Sequence, residues 1–287
     1  MHLISPNFSD LLKPNVEMKN FPDGDSYVRI PEIQKCQGED VTLFHRFYPE
    51  QNANIFTSLL MLDVLKRSGS RVVLFAPYIP YSRQDKTFLD GEPLSSQVLC
   101  NLLLNAGVRR LITLDCHFLK KEGEYEYVGL KIQNISANHA IVEHARSKIG
   151  MEEPLEIISP DQGANYLVSD FGGKSMEKVR GEFIEGDEAY RKIAKMERNF
   201  DVSGKNVLII DDMISTGSTM LKAIENVRKG GAKKIICAAT HGFFMKDSLH
   251  KLRTASDYLF TTNSIPNPVA EVDILKILES KTTLKIK

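Results

Sequence analysis

Short apolar runs alternate along the chain with longer amphipathic stretches. Arg71–Ala76, Leu111–Leu114, Leu155–Ile158, Lys205–Ile210 and Lys234–Ala239 are rich in Val, Ile and Leu. Their length and composition predict strands buried on both faces of a parallel sheet. Asn54–Ser68, Ser95–Ala106, Asn138–Ile149, Asn165–Asp170 and Thr219–Lys229 are predicted helices, many of them ending in Gly with Lys or Arg nearby. Helix C-termini favour both residue types. The alternation predicts an α/β fold with mainly parallel central sheets. The most apolar stretches fall far short of the ~20 residues that cross a bilayer, so no membrane association is expected.

The pattern also echoes itself. Gly107 and Gly231 precede strand-like runs that lead to His117 and His241, and both pairs are 124 residues apart. Val72–Phe75 is likewise echoed by Val207–Ile210, 135 residues later, with the extra length of the first copy falling between strand and helix. Two echoes in the same order predict a duplicated α/β domain. The boundary is expected between residues 137 and 150. This gives an N-terminal domain over 1–140 and a C-terminal domain over 141–269, with the segment from about 270 to 287 packing on the first.

Composition narrows the class of partner. The chain has 287 residues, with 37 Lys and Arg against 37 Asp and Glu. That balance lacks the basic surplus of a nucleic-acid-binding domain, and 42% apolar content is too high for a disordered chain. Cys36, Cys100, Cys116 and Cys237 are widely separated. They match neither a disulfide framework nor a zinc site, so reduced, buried thiols are expected. The first residues, Met1–Pro6, have no basic segment followed by an apolar run. A cytoplasmic protein is the expectation.

The clearest chemistry lies in Val207-Leu208-Ile209-Ile210-Asp211-Asp212-Met213-Ile214-Ser215-Thr216-Gly217-Ser218-Thr219. A buried strand, two carboxylates and a loop of small residues run into a helix beginning near Thr219. Open α/β sheets bind ligands at the carboxyl ends of their strands. A small-residue loop opening a helix aims backbone N–H groups at an anion. Carboxylates beside such a cradle repel phosphate, but they accept hydrogen bonds from vicinal sugar hydroxyls. The segment therefore suits a 5-phosphoribosyl group. A plain helix cap with acids solvating the turn is the simpler alternative. The common nucleotide loops are missing: no G-x-G-x-x-G occurs, and Gly172-Gly173-Lys174-Ser175 has Val168 where a P-loop needs Gly.

These residues carry a family resemblance. The loop after the Asp pair resembles the phosphoribosyl-pyrophosphate loop of type I phosphoribosyltransferases. Other segments, in order, resemble those of the ribose-phosphate pyrophosphokinase family: Phe21-Pro22-Asp23-Gly24-Asp25, Tyr81-Ser82-Arg83-Gln84-Asp85, Asp115-Cys116-His117, Ser159-Pro160-Asp161-Gln162-Gly163 and Lys178-Val179-Arg180. The likeness spans about Phe21 to His241. It implies two type I phosphoribosyltransferase-like domains. It also implies transfer of the β,γ-diphosphoryl group of ATP to the C1 hydroxyl of ribose 5-phosphate, with Mg²⁺ as cofactor.

The resemblance implies roles at matching positions. Asp211, Asp212, Ser215, Thr216, Gly217, Ser218 and Thr219, with Arg180, would hold ribose 5-phosphate. Arg83 and Gln84 would contact ATP. Phe21, Asp23, Gly24 and Asp25 would reach ATP bound to a neighbouring subunit of a homo-oligomer, a dimer or hexamer. His117 and Asp161 would bind the metal, and Lys178 and Arg180 would act as catalytic residues on a mobile arm. The physics suits these roles, because diphosphoryl transfer needs positioning and neutralisation of phosphate charge. Two cations two residues apart on an extended arm face one side. Two other functions are alternatives: a phosphoribosyltransferase acting on a base, which usually needs only one such domain and neither the Arg83-Gln84 nor the Lys178-x-Arg180 element, and a non-catalytic partner of a synthase.

Four departures from the family pattern stand out. Asp25 replaces the usual Glu, Lys86-Thr87-Phe88 replaces a more basic run after Arg-Gln, the span from Arg180 to Asp211 is long, and Phe118–Val128 is atypical after Asp-x-His.

Overall fold

The computed structural model describes residues 1–150, 152–180 and 193–286. The chain forms two compact units, 1–135 and 136–287.

The first unit contains β1 (His2–Ile4), β2 (Glu17–Asn20), β3 (Ser26–Arg29), β4 (Asp40–Phe44), α1 (Gln51–Arg67) and β5 (Arg71–Phe75). α2 (Ser95–Asn105), β6 (Val108–Leu114), β7 (Gly123–Tyr127) and β8 (Leu130–Ile135) complete it. Its sheet has the order β1-β4-β5-β6-β8-β7, parallel except for β7, which runs antiparallel to β8 at one edge. β2 and β3 form a separate antiparallel hairpin.

The second unit runs α3 (Asn138–Ile149), β9 (Leu155–Ser159), β10 (Lys174–Ser175), β11 (Glu177–Arg180), β12 (Ile193–Glu197) and β13 (Asn206–Ile214). α4 (Ser218–Lys229), β14 (Lys234–Gly242), α5 (Ser248–Ala255), β15 (Tyr258–Thr262), β16 (Ala270–Val272) and α6 (Ile274–Lys281) follow. Its sheet order is β10-β9-β13-β14-β15-β16, parallel throughout. β11 and β12 pair as an antiparallel ribbon.

Each unit has its own apolar core, the first around Leu43, Leu62, Leu74 and Leu111, the second around Val207, Ile209, Ile235 and Leu252. The run Val207–Ile210 is fully buried, as its unbroken apolar pattern requires. The echoed segments occupy matching places. β5 and β13 are third in their sheets, β6 and β14 fourth, and one helix, α2 or α4, crosses between each pair. The extra length of the first copy is the loop of residues 76–94. All four cysteines are buried thiols outside any disulfide, and burial pushes the Cys100 thiol up to about 12. Among the described residues no helix is long and apolar enough to cross a membrane.

Several elements differ from the sequence expectation. The expected helix at 165–170 is instead two 3-10 turns, Gln162–Leu167 and Ser169–Phe171. Gly172 ends the second turn, and the Gly173 N–H bonds back to the Val168 carbonyl at 3.0 Å. The strand expected to stop at Ile210 continues to Ile214, because β14 pairs with it as far as Gly242. The C-terminal segment joins the second unit rather than the first: β16 pairs with β15, and Glu271 on β16 binds His144 and Lys148 of α3.

Candidate functional site

The strand order of the second sheet creates a switch point. From β9 the sheet extends to β10 on one side and to β13 on the other. The connections leaving the carboxyl ends of β9 and β13 therefore diverge and leave a crevice, the usual ligand position in such sheets. β9 delivers Ser159-Pro160-Asp161 to that edge, and β13 delivers Asp211, Asp212 and the loop that follows.

Around Asp161 the chain is held by short polar contacts. Asp161 Oδ1 accepts the Gly163 N–H at 2.7 Å, capping the 3-10 turn. The Ser159 hydroxyl donates to the Asp161 carbonyl at 3.0 Å and meets the Ser175 hydroxyl at 2.7 Å. Ser175 in turn donates to Asn165 Oδ1 at 2.6 Å. Ser175 stood out only as the end of a failed P-loop match and Asn165 only as the start of an expected helix, so nothing in the sequence marked this brace.

Asp211 and Asp212 lie within β13 rather than after it, so their side chains alternate: Asp211 is half-buried and Asp212 is buried. The Asp212 N–H donates to Asp211 Oδ1 at 3.0 Å. Beyond them the backbone turns sharply at Gly217, whose φ is +72°, and the Gly217 carbonyl accepts the Leu221 N–H at 2.8 Å to open α4. Gly217 has no side chain to cap the helix, and the first turn of α4 carries no acid. The helix N-terminus and Ser215–Thr219 thus keep their cradle character. The loop is fixed from behind. The Ile214 carbonyl accepts the Phe243 N–H at 2.9 Å, and the Ser215 carbonyl accepts the Met245 N–H at 2.9 Å and the Ser248 hydroxyl at 3.3 Å. A Cβ at residue 217 would sit 3.1 Å from Leu252 and 3.2 Å from Ser248, both on α5. Ser248 and Leu252 are supporting residues that sequence reasoning missed, because α5 itself was not foreseen.

Lys178 and Arg180 lie on β11, whose backbone is extended as expected of the arm. Their side chains, and the arm residues 181–192, lie outside the described residues.

In the first unit three segments carry the remaining candidate residues. Phe21, Asp23, Gly24 and Asp25 form the exposed turn between β2 and β3. The turn closes through Phe21 N–H to the Asp25 carbonyl at 2.7 Å and Asp25 N–H to Asp23 Oδ1 at 3.2 Å. Phe21 is 47% exposed at the tip of this turn, with its ring edge-on to Tyr27 at 5.8 Å between centroids. Arg83 and Gln84 are exposed in the loop between β5 and α2. His117 is half-buried just beyond β6. Before it, Asp115 is 2% exposed and adopts φ +37°. The buried Asn134 of β8 clamps this turn: its Oδ1 accepts the Cys116 N–H at 2.8 Å and its Nδ2 donates to the Lys121 carbonyl at 2.7 Å.

The donor chemistry can be tested against magnesium. Among the described residues no group of three or more His, Cys, Asp or Glu is placed to cage a metal ion. Mg²⁺ rarely uses such a cage. It keeps several waters and binds through one or two carboxylates plus substrate phosphates. Asp161, a hard oxygen donor at the carboxyl end of β9, fits an ion that arrives with a nucleotide, and the His117 imidazole fits such an ion through water.

Comparison with known proteins agrees with this architecture. Residues 9–107 match the N-terminal domain of ribose phosphate pyrophosphokinase, and residues 132–274 match a phosphoribosyl transferase domain. The ribose-phosphate pyrophosphokinase of Pyrococcus furiosus is 36% identical over 266 residues, covering 91% of this chain and 90% of that protein. The corresponding protein of Thermococcus kodakarensis is 36% identical over 267 residues, covering 91% and 89%. The crystal structure of phosphoribosylpyrophosphate synthetase from Mycobacterium smegmatis superposes with a TM-score of 0.79 at 24% identity, covering 98% of this chain and 96% of that one. That structure supports the fold, two phosphoribosyltransferase-type domains with mostly parallel sheets. The matched domains and the curated relatives, which align along nine-tenths of the chain, place it among enzymes: the chain belongs to the ribose-phosphate pyrophosphokinase family.

Proposed function

We propose that the chain transfers the β,γ-diphosphoryl group of ATP to the C1 hydroxyl of ribose 5-phosphate, giving phosphoribosyl pyrophosphate and AMP. The C1 oxygen bonds the β-phosphorus as the bond from that phosphorus to the α,β-bridging oxygen breaks. The bond's electron pair leaves with AMP, and the hydroxyl proton is released. The observation that carries this reading is the Asp211–Thr219 segment at the switch point of the second sheet: two adjacent carboxylates followed by a backbone cradle at the start of α4. Carboxylates suit the ribose hydroxyls, and the cradle suits the 5-phosphate.

The second unit, in this reading, binds ribose 5-phosphate through Asp211, Asp212, Ser215–Thr219 and Arg180. The first unit binds ATP through Arg83 and Gln84. The turn Phe21–Asp25 reaches ATP on a neighbouring subunit of a homo-oligomer, which accounts for the exposed Phe21 ring. Asp161 and His117 hold Mg²⁺, directly or through water, and when bound it neutralises phosphate charge. Lys178 and Arg180 close over the transferring group and neutralise charge as it spreads over the phosphate oxygens. The reaction runs in the cytoplasm.

The test is AMP formation from ATP and a panel of other nucleoside triphosphates, with Mg²⁺, in the presence and absence of ribose 5-phosphate. AMP formation dependent on the sugar phosphate supports the reading. Absence of nucleoside monophosphate with every donor refutes it.

A further inference from the structure

The segment after Asp115-Cys116-His117, which departs from the family pattern, folds into the β7–β8 hairpin. Its two-residue turn, Val128-Gly129, has φ +48° and +84°. Two positive φ values mark the hairpin turn that matches strand twist, and they suit Gly and Asn far better than a β-branched residue. Val128 is therefore a strained position, and strain of about 1–2 kcal/mol persists only where the surroundings fix it.

Two contacts show what is fixed. A Cβ at Gly129 would lie 3.1 Å from Leu104, so the turn sits directly against α2. Tyr127, the residue before the turn, places its hydroxyl 2.9 Å from the Ser96 hydroxyl in the first turn of α2. Ser96 is fully buried, and its N–H reaches the Gln84 carbonyl at 3.3 Å, closing the base of the loop that carries Arg83 and Gln84. The same loop is gathered at its tip by Glu92, whose Oε2 accepts the Phe88 and Leu89 N–H groups at 2.7 and 3.1 Å. The other side of the Tyr127 ring system leads to the second loop, since the ring packs on Phe118 at 4.6 Å between centroids. Phe118 directly follows His117.

We infer that Tyr127 is a positioning residue that holds the Arg83-Gln84 loop and the His117 loop in one arrangement within the first unit. The hydroxyl acts on the first loop through Ser96, and the ring acts on the second through Phe118. The inference rests on the proposed role of Arg83 and Gln84 in binding ATP. A loop left unbraced must be ordered at the moment of binding, so the apparent affinity falls by the fraction of competent conformer. Once the nucleotide is seated, the geometry is restored.

The experiment compares Tyr127→Phe, Ser96→Ala and the double variant, using ATP binding by calorimetry, steady-state kinetics and hydrogen exchange of the ligand-free protein. Tyr127→Phe keeps the ring on Phe118 and removes only the hydroxyl. The expected result is an ATP dissociation constant and KM raised about fivefold, about the worth of one neutral hydrogen bond. Turnover at saturation should stay within about twofold, and the double variant should be no worse than either single one. Amides of residues 84–92 should exchange several-fold faster. Unchanged affinity and exchange in Tyr127→Phe, or fully additive losses in the double variant, would overturn the inference. Arg83→Ala serves as the reference. Normal ATP affinity in that variant would remove the nucleotide role of the loop, while the exchange data would still decide whether Tyr127 braces it.

Discussion

Gly217 is where the cradle depends on a single residue. Its φ of +72° strains any residue with a side chain, and a Cβ there would press on Leu252 at 3.1 Å and Ser248 at 3.2 Å. Gly217→Ala is expected to cost about 1–2 kcal/mol in stability from the left-handed backbone alone. It should also weaken ribose 5-phosphate binding, as measured by calorimetry. A variant that melts lower but binds the sugar phosphate normally would separate the cradle from the ligand. A second buried residue sets a pH limit. His45 is fully buried between the Ser5 hydroxyl at 3.0 Å and the Asn54 carbonyl at 2.9 Å, and burial pushes its pKa down to about 4. The unfolded chain binds this proton near pH 6.5 and the folded chain only near pH 4, so stability is lost as pH falls through that window. The loss is about 3 kcal/mol. Denaturation measured from pH 7 to 4 should show this limb, and His45→Gln should flatten it. The candidate site residues were legible to the extent that they sit in motifs. Asp211 and Asp212 stood out as a pair after an apolar run, but their alternation across β13 did not, because pairing with β14 extends the strand beyond that run. Asn134, Ser175 and Ser248 support the site through single hydrogen bonds, which leave no periodic trace.

At the scale of elements, long apolar runs and Gly-terminated helices were readable, while short or alternating pieces were not. β7 reads Gly-Glu-Tyr-Glu-Tyr, an exposed edge with no buried stripe. β16 has three residues and α5 and α6 have eight each, too short to announce themselves. The position of β16 was misjudged for the same reason. Besides its pairing with β15, it is held by one carboxylate: Glu271 accepts from Tyr258 at 2.6 Å, Lys148 at 2.9 Å and His144 at 3.0 Å. These donors keep its pKa below the usual carboxylate range against the opposing effect of partial burial. Its contribution is therefore present above the ordinary Glu pKa and is lost as pH falls through the lowered value. Glu271→Gln should accelerate hydrogen exchange of residues 270–281 about fivefold while leaving β13 and β14 unchanged. Unchanged exchange at β16 would show that backbone pairing alone holds that edge.

The whole molecule repeats one design, and under the proposed function the copies do different work. The repeat was visible in the sequence because matched strands and helix ends recur at fixed spacing. The topological switch point was not, because strand order depends on which strands pair rather than on what each contains. The exposed Phe21 turn and the Lys178–Arg180 strand lie in different units, and under the proposed function they complete a site between subunits. Mixing an Asp23→Ala protein with a Lys178→Ala protein should then restore activity that neither has alone, since some assemblies contain an intact pair. Activity no higher than the sum of the two would argue for sites contained within one subunit. The central claim concerns which bond of ATP breaks. ATP carrying a radioactive β-phosphorus, incubated with Mg²⁺ and ribose 5-phosphate, tests it most directly. The account predicts that the label moves into the sugar product while unlabelled AMP forms in equal amount. Label retained in ADP, or no label in the sugar product, would contradict it.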